Sequence, residues 1–146
     1  MGIGEKWKGF RELPEDIAQR VDELGRVFRR NGVQLAYLFG SLAKRNAGDD
    51  VDIAVLGSSE NLEDLRAALC EALATERLDI VDLAKAPPTL QFEVISSGRV
   101  LFKTSDETEN NFELRVITAY QDREPVRRRQ HEILAERTRG WLSKSN

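Results

Sequence analysis

Cysteine, histidine and methionine are almost missing from this chain of 146 residues, which has one of each. A lone cysteine, Cys70, cannot form an internal disulfide, and its place in an apolar helical pattern reads as a buried, inert thiol. A lone histidine, His131, cannot build a zinc site. No run of about 18 apolar residues occurs, so no membrane-spanning helix is expected. The opening MGIGEKWKGFRELPED has no apolar core of a secretory signal, and a cytoplasmic protein is expected. An excess of positive charge is missing too: 22 Lys and Arg stand against 25 Asp and Glu, a net charge of −3. That balance lacks the basic footprint of a nucleic-acid binder, so no direct nucleic-acid binding is expected. Neither a repeat nor a low-complexity tract divides the chain. With 40% apolar and 32% charged residues, it reads as one domain over 1–146 with enough chain for a core. Residues 1–12 read as a loose arm with Trp7 and Phe10 as tethers, and 126–146 as a charged C-terminal helix and tail.

What is present is concentrated in residues 38–56, LFGSLAKRNAGDDVDIAVL. An apolar run ends in Gly40-Ser41; eight residues later Asp50-Val51-Asp52 leads into a second apolar run. The pattern predicts strand, tight turn, short helix, loop, strand. Gly40 lets backbone approach a phosphate, and Ser41 opens a helix whose free N–H groups favour an anion. Side chains two apart in a strand share a face and lie roughly 7 Å apart. Asp50 and Asp52 therefore point the same way and can hold hard cations; such oxygen ligands suit Mg²⁺. Either pair alone is a weak signal, most often a turn or a solvated loop. Together, each tied to an apolar strand, they point to metal-dependent phosphoryl transfer.

Along the rest of the chain, Pro14 and the acidic pair Glu15-Asp16 open a helix, and Ile17, Val21, Leu24, Val27 and Phe28 give it a helical stripe. Gly32 ends it. Strands are expected over 33–39, 51–56, 78–83 and 99–103. Helices are expected over 60–75, with Leu62, Leu65, Leu69 and Leu73 on one side, and around 90–97, closed near Gly98. A polar link over 104–111 then opens a helix with Phe112, Leu114, Val116, Ile117 and Tyr120. Pro125 is expected to break or kink it before a last, charged helix over about 126–139. Strands alternating with helices give an α/β fold.

A two-metal site works best with a third acidic ligand, which also helps deprotonate an attacking hydroxyl. Residues 78–83, LDIVDL, offer Asp79 and Asp82, which point to opposite faces. Leu78 and Ile80 match the apolar side of the second strand, which sets Asp79 on the acidic side. Asp82 is left near the strand end, capping or solvated. A mid-strand charge between two apolar residues is costly without a partner, and that favours Asp79; an edge position facing water is the bland alternative for both.

At this point the chain resembles a known family. LFGSLAK and DDVDIAVL, followed by RLDIVDLAKAPPTLQFEVISSGRVLF, are similar to the minimal nucleotidyltransferases of the DNA polymerase β-like superfamily. The branch resembled most is that of stand-alone bacterial antitoxins paired with HEPN-type RNase toxins; VDLAKAPP, GRVLF and the FELRVITAYQD helix carry that likeness. The resemblance implies a small mixed sheet with helices mainly on one face. It implies phosphate binding at Gly40 and Ser41, and catalytic metal ligands at Asp50, Asp52 and Asp79. It implies ATP as substrate, two Mg²⁺ ions, and AMP transfer to a hydroxyl, of tyrosine, on a HEPN toxin held in a hetero-oligomer. The spacer before Asp50 is shorter than is usual in the family, and Arg45 stands where the family has glycine. Lys44 and Arg45 either reach the triphosphate or are solvated.

Two other readings compete. A non-catalytic antitoxin would mask its toxin by complex formation, with the Arg-rich segment 123–139 as a docking face or merely a solvated helix side. Modification of a small molecule is weaker, because relatives of that kind carry an additional acceptor-binding domain.

Overall fold

A computed structural model describes residues 12–45, 48–57 and 62–138, with side chains as far as residue 122. In chain order the elements are α1 (Ile17–Asp22), α2 (Gly25–Arg30), β1 (Leu35–Phe39), α3 (Gly40–Arg45), β2 (Val51–Leu56), α4 (Leu62–Leu73), β3 (Leu78–Asp82), α5 (Pro88–Ser97), β4 (Arg99–Lys103) and α6 (Asp106–Thr138). All but the last residue of the expected arm over 1–12, the tail over 139–146, and the side chains of the Arg-rich segment lie outside the described residues. Among the described residues no helix is long and apolar enough to cross a membrane.

The strands form one mixed sheet in the order β3-β2-β1-β4. β1 pairs antiparallel with both β2 and β4, whereas β2 pairs parallel with β3. The parallel pair needs a crossover, and α4 supplies it. The two central strands are the most apolar and the most buried. Strands buried on both faces need cover on both.

Each face has its own cluster. The larger lies under α1, α2 and α4, where Ile17, Val21, Leu24, Phe28, Leu65, Leu69 and Leu73 meet Val51, Ile53, Val55 and Leu78 from the sheet. The three α4 leucines sit four apart, one stripe of a helix. Glu63 and Asp64 occupy the first turn of α4 and favour its positive end. On the opposite face Leu35, Tyr37 and Ala54 pack against Val94 of α5 and Phe112 and Val116 of α6. Helices thus cover both faces, α1, α2 and α4 on one and α5 and α6 on the other, where the resemblance implied helices mainly on one face.

Several boundaries shift by one or two residues, and three elements differ further from the sequence expectation. The first helix is two short ones, interrupted at Glu23 and Leu24; the apolar stripe crosses the break because both pieces face the same cluster. α6 begins at Asp106, so the polar link is largely its first turns, with Asp106, Glu107 and Glu109 at the positive end. The helix also runs on through Pro125 without the break that was one of the two expectations there. Proline there removes one backbone donor, and the turns on either side remain helical.

Side chains fasten α6 to the sheet. Lys103 at the end of β4 pairs with Asp106 at 2.7 Å and Glu109 at 2.8 Å. The Tyr37 hydroxyl donates to Glu113 Oε2 at 2.6 Å across the apolar cluster. Burial, and then the carboxylate that accepts its proton, push the Tyr37 phenol far above the ordinary tyrosine value. In the unfolded chain this phenol ionises near pH 10, and in the native state it does not. The unfolded state therefore binds fewer protons above that pH, and stability falls as pH rises. Urea unfolding between pH 8 and 11 should show a steeper loss above about pH 10 in the wild type than in Tyr37→Phe. Equal slopes would mean that the phenol is not held neutral.

Candidate active site

Alternation in β2 builds the site. Val51, Ile53 and Val55 face the larger cluster and are fully buried. Asp52 and Ala54 face the other side, and there Asp52 is half-buried. Parallel pairing sets Asp52 of β2 opposite Asp79 of β3, and Val51 opposite Leu78. Leu78 and Ile80 join the larger cluster, so Asp79 is on the face of Asp52. Asp50 lies in a bend just before β2, not in the strand, and is 2% exposed. Asp50, Asp52 and Asp79 each offer a carboxylate oxygen, and these oxygens lie within 4.8 Å of one another. Asp82 is turned away from them; its Oδ1 accepts the Ala84 N–H at 3.0 Å, a cap on the turn after β3.

Three carboxylates this close repel one another, and a divalent cation relieves that. The donor set is all oxygen and all hard, which suits Mg²⁺ better than zinc or copper.

Gly40 and Ser41 stand beside this cluster because β1 ends where β2 begins: Phe39 is opposite Asp52. Gly40 has φ +76°, a left-handed conformation, and a Cβ there would collide with Asp52 Oδ2 and come within 3.0 Å of its Cγ. The sequence suggested a glycine for close approach to a phosphate; the close approach the structure shows is to the carboxylate itself. Ser41 is half-buried at the start of α3. The loop before Asp50 returns over it, so that a Cβ on Gly48 would lie 3.1 Å from the Ser41 Cβ. Lys44 and Arg45, at the end of α3, are both exposed. Sequence reading passed over Arg66 and Arg77, which stand behind the cluster and belong to no motif; only their contacts reveal them.

Comparison with known proteins agrees with the geometry. Residues 22–107 match the family described as Polymerase beta, Nucleotidyltransferase. The protein adenylyltransferase MntA of Shewanella oneidensis is 35% identical over 95 residues, which cover 61% of this chain and 67% of that protein. A solved toxin–antitoxin structure with AMP-PNP is similar at 28% identity and a TM-score of 0.60, covering 75% of this chain and 94% of that one. So is a chain in the structure of a tri-AMPylated S. oneidensis HEPN toxin in complex with MNT antitoxin, at 27% identity and a TM-score of 0.60, covering 82% and 99%.

The contact of Gly40 with Asp52 gives a direct test. Gly40→Ala should lose about 1–2 kcal/mol of stability from the left-handed backbone alone, read by urea unfolding. It should also displace Asp52 and weaken Mg²⁺ binding, read as a smaller rise in melting temperature on adding Mg²⁺ and ATP. An alanine variant with wild-type stability and an unchanged rise would show that the glycine is dispensable.

Proposed function

The chain belongs to the polymerase β-type nucleotidyltransferase family, and from that premise we propose that it is a Mg²⁺-dependent protein adenylyltransferase and an antitoxin. It transfers AMP from ATP to a tyrosine hydroxyl on a cognate HEPN-type RNase toxin, with which it forms a hetero-oligomer in the cytoplasm. The observation that carries this reading is the convergence of Asp50, Asp52 and Asp79 within 4.8 Å, beside a Gly-Ser turn that closes on Asp52. The similarity to an adenylyltransferase, and to antitoxin chains solved with an ATP analogue and with an AMPylated toxin, supplies the nucleotide and the partner.

The residues fit the metal. Asp50, Asp52 and Asp79 would hold Mg²⁺, two ions in this reading. What such ions supply is neutralisation of charge on the triphosphate and the leaving pyrophosphate. The chain supplies position. The Gly40-Ser41 turn presents backbone and a hydroxyl to the phosphates. The incoming hydroxyl oxygen forms a bond to the α-phosphorus, the bond to pyrophosphate breaks, and the hydroxyl proton passes to a carboxylate, for which Asp79 is the assigned base. Little beyond alignment is required for this chemistry.

Two outcomes are expected. Mg²⁺ with ATP at about a hundred times the Kd should stabilise the wild type by roughly 2.7 kcal/mol, or about 5–10 °C in melting temperature. Asp52→Asn should lose most of that rise while melting higher than the wild type without metal, because one repelling charge is gone. An equal rise in both would place the ligand elsewhere.

The function itself is read by mixing the protein, Mg²⁺, α-labelled ATP and the toxin. Label should appear on the toxin, with a mass increase of one or more AMP units and loss of RNase activity. Asp50→Ala with Asp52→Ala should abolish both. Full neutralisation by that double variant at equal concentration would make complex formation sufficient and turn the reading to a masking antitoxin. Absence of label with the wild type would point to the shortened loop before Asp50, and adding two residues there is the follow-up.

A further inference from the structure

Asp50 has no strand to hold it. It lies in a bend before β2, yet it is the most buried of the three carboxylates. Its backbone is fixed instead at both flanks, and by one residue. On one side the Arg77 guanidinium Nη1 donates to the carbonyl oxygen of Asp49 at 3.1 Å. On the other the Val51 N–H donates to the carbonyl oxygen of Arg77 at 2.8 Å. Asp50 is the residue between those two contacts.

Arg77 is itself held. Its own N–H donates to Thr75 Oγ1 at 3.1 Å. Arg66 of α4 donates to the carbonyl oxygens of Leu78 and Glu76, the residues on either side of it. The approach to β3 is therefore rigid where it meets the Asp49–Asp50 bend. Two residues further on, the same strand carries Asp79. One short segment thus sets the distance between a carboxylate outside the sheet and one inside it.

The geometry points to Arg77 as a positioning residue for Asp50: it holds the bend that presents the Asp50 carboxylate to the cation shared with Asp52 and Asp79. Arg77 touches neither nucleotide nor acceptor in this role. It acts through the backbone, as outer residues of metal sites do when they orient a ligand, and loss of such residues typically weakens metal affinity by 10–100-fold. The guanidinium is suited to the task. It donates in a fixed plane, whereas an ammonium is a flexible point donor. The inference rests on the reading of the three aspartates as the metal site.

The test uses the chain alone, so it does not depend on the acceptor. Mg²⁺ is titrated at fixed ATP, and the midpoint of the rise in melting temperature gives the half-saturating Mg²⁺ concentration. Arg77→Met keeps the half-buried aliphatic stem and removes the donor. It should raise the half-saturating concentration about tenfold, with metal-free melting close to wild type. Arg77→Lys, which keeps a donor, should recover most of the affinity, with a shift of about two- to threefold. A purely structural role would lower metal-free melting in both variants and leave the Mg²⁺ midpoint where it was, and that result would overturn the inference. If Arg77→Met gives no cooperative unfolding, Arg77→Gln replaces it. Its amide is two bonds too short for the Asp49 carbonyl, and the same two outcomes apply. A wild type with no Mg²⁺-dependent rise would bring down the metal reading and this inference with it. A wild type that binds Mg²⁺ but transfers no label would leave the positioning role standing and remove only the proposed reaction.

Discussion

Holding three like charges within reach of one another is the constraint to which the rest of the sheet answers. Carboxylates at that separation push apart, and the chain must supply an opposing force from elsewhere. It comes from the reverse face of the same strands. Val51, Ile53 and Leu78 anchor β2 and β3 in the larger apolar cluster, under α1, α2 and α4. Each burial of this kind contributes about 1.5–3 kcal/mol before entropy is counted, while like charges placed opposite each other oppose the pairing only in part. The alternation of the strands keeps the two effects on separate faces, so neither aspartate needs to enter the core. Asp50 is the exception, and it is also the one member of the trio outside regular structure.

This division explains what was legible in the sequence. VDIAVL alternates, so both its limits and its faces are encoded locally, and β2 is found at the expected 51–56. The same parity separates Asp79 from Asp82, because Leu78 and Ile80 must go inward. RVLFK is likewise found at 99–103. The residue types at Gly40, Ser41, Asp50 and Asp52, each pair tied to an apolar strand, carry the likeness to the family even though the spacer between them is shorter than is usual in it.

What was not legible depends on partners far away in sequence. The stripe from Ile17 to Phe28 reads as one helix because periodicity does not register a break whose two pieces share a face. The first turns of α6 look like a linker because their residues are polar; Lys103 and the positive end of the helix give them a reason to be helical. The bond from Tyr37 to Glu113 spans 76 positions, and that from Arg77 to Asp49 spans 28. Neither belongs to a motif. An arginine before a strand is an ordinary surface residue until the bend it holds is seen.

The pairing of Asp52 with Asp79 has a consequence for the edge of the sheet. β3 is a short outer strand, reached by a crossover and paired parallel on one side only, and Asp79 near its start is opposite Asp52 of its neighbour. In the proposed reading, a cation shared by the two strands would act as a cross-strand staple. Ligand binding and closure of the sheet edge would then be one equilibrium: a nucleotide-metal complex would finish the fold at the place where it is used.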